Sequence, residues 1–136
     1  MNEKINEMIS IAQEALKNSY APYSNFHVAS CIMSENGQIF TGVNVENGAH
    51  SMAICAESSA ICQMIAAGQQ KIKDLVVLAS SEQLCPPCGA CRQRIQEFST
   101  DETRVYMCNK DGIINVLTIN ELLPLAFCFN PYSGNI

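Results

Sequence analysis

The sequence has no tryptophan, few charged residues and no long apolar run. Only 15% of its 136 residues are charged, and its eight lysines and arginines are scattered, which argues against a nucleic acid polymer as a partner. The opening 20 residues lack the apolar core of a signal peptide, and no later stretch reaches transmembrane length. We therefore expect a cytoplasmic protein with a small-molecule ligand and no membrane partner.

What the chain does contain is typical of a folded globule. Hydrophobic residues make up 48% of it, and the formal net charge is −5. A length of 136 residues suits one domain, so we expect residues 1–136 to form a single domain. In a reducing compartment its eight cysteines are packing residues, catalysts or metal ligands rather than disulfides.

Local signals predict most of the secondary structure. Asn36-Gly37 lies between two strand-like runs and predicts a hairpin, as does the "KDG" at 110–112. Thr118 and Glu121 have capping-box spacing and predict the start of a helix. The predicted elements are a helix at about 3–18, strands at 27–34 and 38–45, a helix at 53–68, a strand at 75–80, a short helix after the loop at 85–89, strands at 104–109 and 112–117, and a last helix from 118.

This element order predicts an α/β fold, a three-layer α-β-α sandwich with a mixed five-stranded sheet. The strand at 75–80 is almost wholly apolar and should be covered on both faces. The predicted helices at 53–68 and after 85–89 each follow a strand. Their N-termini should therefore meet at one edge of the sheet, where open α/β folds bind ligands.

Three cysteines stand within seven residues, in "CPPCGAC" from Cys85 to Cys91. Spacing alone permits a redox dithiol of Cys85 with Cys88, or half of a zinc site from Cys88 with Cys91. Cys55, in "CAE", could supply a third thiolate from the other helix N-terminus. Three thiolates leave one position of tetrahedral zinc open, the arrangement of a catalytic site.

Glu57 completes the candidate constellation as a carrier of protons. Residues two apart on a helix point to different sides, so Cys55 and Glu57 can share a site only if it lies across the helix end. A non-catalytic zinc site and a thiol-redox module remain as alternatives. The other four cysteines lie in apolar surroundings and are predicted to be packing residues: Cys31, Cys62, Cys108 and Cys128.

A Cys followed two residues later by Glu, with a later Pro-Cys-x-x-Cys, is the pattern of zinc deaminases. The chain resembles a cytidine deaminase of the small, tetrameric, three-cysteine kind. The resemblance is collinear over nearly the whole length. It rests on "YAPYSNFHV", "TGVNVENGAHSMAICAE", "PPCGACRQ" and "ELLPLAF".

The resemblance implies zinc-dependent hydrolytic deamination of cytidine and 2′-deoxycytidine, with one Zn²⁺ per subunit and no organic cofactor. It implies a homotetramer whose sites are shared between subunits. The residues it assigns are Cys55, Cys88 and Cys91 as zinc ligands, Glu57 as the proton shuttle that also holds the pyrimidine N3, Asn44 and Glu46 at the ribose 3′-hydroxyl, Phe26, Ala56 and His50 as further substrate contacts, and Phe127 as a contact from a neighbouring subunit.

Several residues depart from the pattern of this family, among them Arg94, where an apolar residue is usual, and the stretch "VASCI", where "VGAAL" is typical. Ser58 stands where an arginine usually follows the glutamate, His50 where a tyrosine is common, and Leu125 where a smaller residue is common. Because three thiolates outweigh the zinc charge, we hypothesise that Arg94 supplies part of the missing positive charge. The departures also leave open another aminated nucleoside or base, such as a nucleoside antibiotic of the blasticidin S type.

Overall fold

A computed structural model of the protein describes residues 3–129, and within them five strands form one mixed sheet. The strand order is β2-β1-β3-β4-β5; β3 and β4 are parallel, and the other neighbours are antiparallel. The strands are β1 (Val28–Ser34), β2 (Ile39–Val43), β3 (Ile72–Ala79), β4 (Ser99–Asn109) and β5 (Gly112–Thr118).

Helices cover both faces of the sheet, which confirms the predicted three-layer sandwich. The first helix packs on one face and the other three on the opposite face. None of the helices in the described part is long and apolar enough to cross a membrane. The helices are α1 (Glu3–Leu16), α2 (Ala56–Ala66), α3 (Gly89–Glu97) and α4 (Ile119–Leu122), with a 3-10 turn at His50–Met52.

The central strand β3 is buried on both faces, as its apolar sequence predicts. Side chains alternate along a strand, so Val76 and Leu78 pack with α1, whereas Leu75 and Val77 pack against the opposite layer. All four are at most 1% exposed. Burying each side chain contributes roughly 1.5–3 kcal/mol of transfer free energy. The strand β3 is therefore firmly held, and its carboxyl end leads into the loop before α3.

The local signals are confirmed where they were strongest. Gly37 has φ of 89° in the β1–β2 turn, a conformation that glycine adopts without steric cost. The Thr118 side chain accepts from the Glu121 amide, and the Glu121 carboxylate accepts from the Thr118 amide. This reciprocal capping box begins α4, although that helix has only four residues.

The topology brings α2 and α3 together at one edge. Both β2 and β3 are antiparallel to β1 and therefore run in the same direction. The two helices begin beyond the carboxyl ends of these strands. The predicted meeting of their N-termini is confirmed.

Two of the four cysteines predicted to pack in the interior are exposed instead. Cys31 and Cys108 are buried, whereas Cys62 and Cys128 are exposed. Cys62 follows the buried Ile61 on α2 and is turned about 100° off the buried stripe. Cys128 lies beyond α4, where the chain has left the packed layers.

Candidate active site and metal centre

Three cysteine thiols converge where α2 and α3 begin. Cys55 is the N-cap residue of α2, Cys88 is the N-cap residue of α3, and Cys91 lies in the first turn of α3. Their three Sγ atoms all lie within 4.8 Å of one another. Within residues 3–129, no other Cys, His, Asp or Glu joins this group.

The donor set fits one tetrahedral zinc ion. Zn–S bonds of about 2.3 Å place ligand sulfurs about 3.8 Å apart, so the observed spread needs only small movements. Burial raises the pKa of Cys55 and of Cys91. Burial also acts on Cys88, but hydrogen bonds from the Cys91 and Ala90 amides outweigh it and lower its pKa. Metal binding requires all three as thiolates, and Cys88 is the readiest to lose its proton.

Glu57 is buried beside the thiols. It lies in the first turn of α2, is 5% exposed and lines the same cavity as Cys55. The expected geometry is therefore observed, with Cys55 and Glu57 meeting across the helix end. Burial raises the pKa of Glu57, partly offset by its own amide, the Cys91 thiol and the positive charge of Arg94. A carboxyl group with this balance is suited to accept and return a proton.

The cavity beside the thiols holds about 260 Å³. It combines an apolar wall with a few polar groups, the usual composition of a small-molecule site. Of the ten residues that the sequence pointed to, eight line it: Phe26, Asn44, Glu46, Cys55, Ala56, Glu57, Cys88 and Cys91. The sequence reasoning missed as wall residues Val28, Ala53, Ile54, Val77, Cys85 and Pro86.

Asn44 reaches the cavity but is largely engaged by the protein itself. Its Oδ1 accepts from the Val28 amide at 2.9 Å and from the Ser19 hydroxyl, and its Nδ2 donates to the Phe26 carbonyl at 2.9 Å. An amide NH₂ carries two hydrogens. One N–H therefore remains for a ligand.

Glu46 also lines the cavity while it is hydrogen-bonded within the protein. Its Oε1 accepts from the amides of Tyr23 and Ser24 at 3.0 and 3.2 Å, and its Oε2 accepts from the Ser24 hydroxyl. The Ser24 hydroxyl and these amides lower the pKa of Glu46, so it is a carboxylate at neutral pH. Lone pairs on Oε2 remain free to accept from a ligand hydroxyl.

Two predicted substrate contacts do not line this cavity. His50 lies in a neighbouring cavity of about 360 Å³, which shares Glu46 and Ala53 with the first. Phe127 is 62% exposed on the segment after α4. Their assignment as substrate contacts stays a prediction.

Cys85 is a wall residue rather than a fourth member of the thiol group. It is half-buried in the cavity, and burial raises its pKa, with a further rise from the charge of Glu57. A thiol with a raised pKa is a poor nucleophile. The surroundings of Cys85 therefore do not activate its thiol.

Ser58 contributes no charge at the position after Glu57. Its Oγ is buried and has no hydrogen-bond partner among the described residues. Arg94, one turn beyond Cys91 on α3, is exposed, yet its charge acts on Glu57. That Arg94 also offsets the charge of the thiolates stays a prediction.

Replacing Arg94 by alanine should weaken the metal centre. We expect Arg94→Ala to lower turnover or speed zinc release by several-fold, roughly two- to fivefold for an exposed charge. Zinc release to a colorimetric chelator measures the effect, and Arg94→Lys is the charge-matched control that should stay near wild type. Wild-type values of both quantities in Arg94→Ala would refute the hypothesis.

Gly42 of β2 allows the first turn of α2 to lie directly on the sheet. A Cβ at this position would come within 2.7 Å of the Ala56 carbonyl and the Ser59 Cβ, and closer still to the Ala60 amide. Real Cβ atoms do not approach backbone so closely. The glycine therefore sets the position of the turn that carries Glu57.

Gly42→Ala should destabilise the fold by about 1–3 kcal/mol, the usual cost of an overpacked contact. Denaturant unfolding of the zinc-loaded protein measures this free energy. Gly89→Ala is the matched control, since a Cβ there meets nothing within 4 Å. An unchanged unfolding midpoint for Gly42→Ala would contradict the close approach.

Known proteins are similar to this chain in both sequence and fold. Residues 2–108 match the family model of the cytidine and deoxycytidylate deaminase zinc-binding region. A cytidine deaminase from Sporosarcina psychrophila is 40% identical over 123 residues, which cover 90% of each chain. A blasticidin-S deaminase from Bacillus cereus is more distant, at 26% identity over 132 residues, 91% of this chain and 92% of that one.

The crystal structure of cytidine deaminase from Burkholderia pseudomallei superimposes with a TM-score of 0.84. The two chains are 35% identical, and the match covers 90% of this chain and 98% of the other. The three clustered thiols coincide with the zinc-binding character of the matched region. The chain therefore belongs to the cytidine and deoxycytidylate deaminase family.

Proposed function

We propose that this protein is a zinc-dependent enzyme that hydrolyses cytidine and 2′-deoxycytidine to uridine and 2′-deoxyuridine with release of ammonia. The observation that carries the proposal is the meeting of three thiols with one buried glutamate at the ends of two helices. Three protein ligands leave one tetrahedral position open, unlike the closed four-ligand set of a structural zinc. The centre takes one zinc ion per subunit, held by Cys55, Cys88 and Cys91.

When bound, zinc lowers the pKa of water towards about 7 and so supplies a nucleophile at neutral pH. Glu57 acts as the general acid–base group: it accepts a proton from the attacking water and delivers it to N3 of the ring. The water oxygen bonds to C4, and Glu57 then carries the proton of the new C4 hydroxyl to the 4-amino group. The C4–N bond breaks, ammonia leaves and the C4 carbonyl forms. Because Glu57 is buried in the cavity wall, solvent does not compete for these protons.

Other residues of the cavity are proposed to hold the nucleoside. The free N–H of Asn44 and the free lone pairs of Glu46 suit a ribose hydroxyl, which both donates and accepts. Phe26 is 37% exposed and offers a ring to the ligand, and Ala56 contributes the wall beside Glu57. His50, from the adjoining cavity, would lie near the sugar.

We propose further that the chain forms one domain over residues 1–136 and assembles as a homotetramer with shared sites. Three large apolar side chains after α4 support the assembly, since they are exposed and lie outside the cavity of their own chain. They are Leu125, Phe127 and Phe129, exposed by 98%, 62% and 55%. All eight cysteines are free, which supports a reducing compartment such as the cytoplasm.

A substrate panel on protein of measured zinc content tests the function. Cytidine, 2′-deoxycytidine, cytosine and blasticidin S are incubated separately, and ammonia and the ultraviolet change are followed. We expect turnover of the two nucleosides and little turnover of cytosine, because the free base lacks the sugar that Asn44 and Glu46 would hold.

Two results would overturn the proposal. Turnover of blasticidin S without cytidine would favour a deaminase of nucleoside antibiotics. No turnover of any amine by zinc-loaded protein would favour a non-catalytic zinc module. The chain is more similar to cytidine deaminases than to the blasticidin-S deaminase, which supports cytidine rather than a nucleoside antibiotic as the substrate.

A further inference from the structure

Arg92, in the first turn of α3, joins two segments that are far apart in the sequence. Its Nε donates to the Pro87 carbonyl at 2.8 Å, and its Nη1 donates to the Leu122 carbonyl at 2.9 Å. Pro87 directly precedes the candidate ligand Cys88, and Leu122 ends α4. One half-buried guanidinium thus connects the cysteine loop (residues 85–88) to the end of α4.

The next residue adds a second connection. Gln93 Nε2 donates to the Phe127 carbonyl at 3.0 Å. Two successive α3 side chains therefore hold the backbone of the C-terminal segment (residues 122–129). Leu122 is 5% exposed and packs in the core, whereas the large side chains beyond it, Leu125, Phe127 and Phe129, are mostly exposed. Apolar packing within the chain therefore does little to hold residues 125–129.

We propose that Arg92 is a positioning residue that couples the metal centre to the C-terminal segment. Zinc bound by the three thiols orders the segment through Arg92, and an ordered segment in turn strengthens zinc binding by the same free energy. The proposal rests on zinc binding by these thiols and not on deamination. Its failure would leave the proposed reaction untouched.

The physical basis is the geometry of the guanidinium. The Leu122 carbonyl is at a helix end and has no partner within the helix. A planar guanidinium with fixed donors can hold two carbonyls at a set separation, and its hydrogen bonds are strengthened by charge. Zinc would lock the loop and the first turn of α3 to α2. Pro87 and Arg92 would then be held in register.

A simple charge role for Arg92 makes a different prediction. No carboxylate lies within ion-pair distance of Arg92 among the described residues, so its charge is free to offset the thiolates. Lysine would preserve that charge. A lysine ammonium cannot reproduce the two fixed donors, so a tether is lost in Arg92→Lys whereas a charge effect is kept.

Hydrogen–deuterium exchange with mass spectrometry tests the coupling. Wild type, Arg92→Lys and Arg92→Gln are measured zinc-free and with saturating zinc sulfate. In wild type, we expect zinc to slow exchange by about tenfold or more in residues 85–97 and also in 119–129. In both Arg92 variants the slowing should persist at 85–97 and disappear at 119–122, the part whose backbone Arg92 holds.

Glu97→Gln is the matched control, an exposed side chain on the same helix that has no hydrogen bond or ion pair among the described residues. At saturating zinc it should keep the wild-type effect at 119–129. The proposal fails if zinc does not slow exchange at 119–129 in wild type, or if it slows exchange at 119–122 in either Arg92 variant as much as in wild type.

Gln93→Ala keeps the proposal testable if circular dichroism shows that the Arg92 variants do not fold. It removes the hydrogen bond to the Phe127 carbonyl and a long one, of 3.5 Å, to Gln96 Oε1 on the same helix. We expect the zinc effect to be lost at 125–129 and kept at 119–122. Loss of the zinc effect at 119–122 in this variant, in which Arg92 is intact, would overturn the inference.

Discussion

Glu57→Gln is expected to lower the turnover of cytidine by about 10²–10⁴-fold, the usual contribution of a general acid–base group. Glutamine matches glutamate in size and keeps the polar lining of the cavity. It cannot accept a proton from water or return one to the ring. Steady-state rates, normalised to measured zinc content, give the effect.

Two comparisons make this result specific. Zinc content should remain near one per chain in Glu57→Gln, because the three thiols are unchanged. Glu97→Gln, an exposed glutamate at the end of α3, should leave turnover at the wild-type value. If zinc-loaded Glu57→Gln turned cytidine over at the wild-type rate, another group would have to carry the proton.

Cys91→Ala is expected to abolish zinc retention and, with it, activity. Cys91 is 1% exposed and is one of the three clustered thiols proposed to hold the zinc. Zinc binding to a full ligand set releases about 10–16 kcal/mol, so loss of one ligand should weaken zinc affinity by about 10²–10⁴-fold. Competition with a chelator of known affinity measures the loss.

The matched controls are the two other buried cysteines. Cys31 and Cys108 are 0% and 2% exposed and lie in the core beside α1, away from the thiol group. Burial raises the pKa of Cys31 to about 12 and that of Cys108 to about 11, so both are inert thiols at neutral pH. Their alanine variants should lose some stability but keep zinc. Zinc loss in either, or normal affinity in Cys91→Ala, would contradict the assigned ligand set.

Much of the fold could be predicted because local and global signals agree. Asn36-Gly37 fits the turn of the first hairpin, and the Thr118–Glu121 box begins α4. The apolar run at 75–80 lies in the central strand. In each case the same residues satisfy the turn or cap chemistry and the layer packing, which is the consistency expected of a foldable sequence.

The start of β4 at Ser99 could not be predicted in this way. The polar stretch before Arg104 has no strand periodicity. It is held by tertiary contacts: Ser99 pairs with Ile72 of β3, and the buried Thr103 hydroxyl donates to the Ile72 carbonyl at 2.6 Å. Hydrogen bonding between distant segments therefore extends the strand beyond its local signal.

The candidate site likewise contains residues that the sequence pattern predicts and residues that only tertiary contacts place. Spacing alone left a redox dithiol and a zinc site open, and the thiol group and Glu57 were predictable because "CAE" and the later "PCGAC" together match the pattern of zinc deaminases. The wall from Cys85 and Pro86, and the bonds of Arg92 to two carbonyls, depend on how α3 and α4 meet. The available signal for these residues was that they are adjacent in sequence to Cys88 and Cys91. Adjacency does not indicate in which direction a side chain points.

X-ray absorption at the zinc edge tests the central claim most directly. The zinc-loaded protein should show three sulfur neighbours at about 2.3 Å and one lighter atom, as expected for three cysteine ligands and an open position. Four sulfur neighbours would mean that Cys85 or another thiol closes the centre. A closed centre of that kind would contradict catalysis at this site.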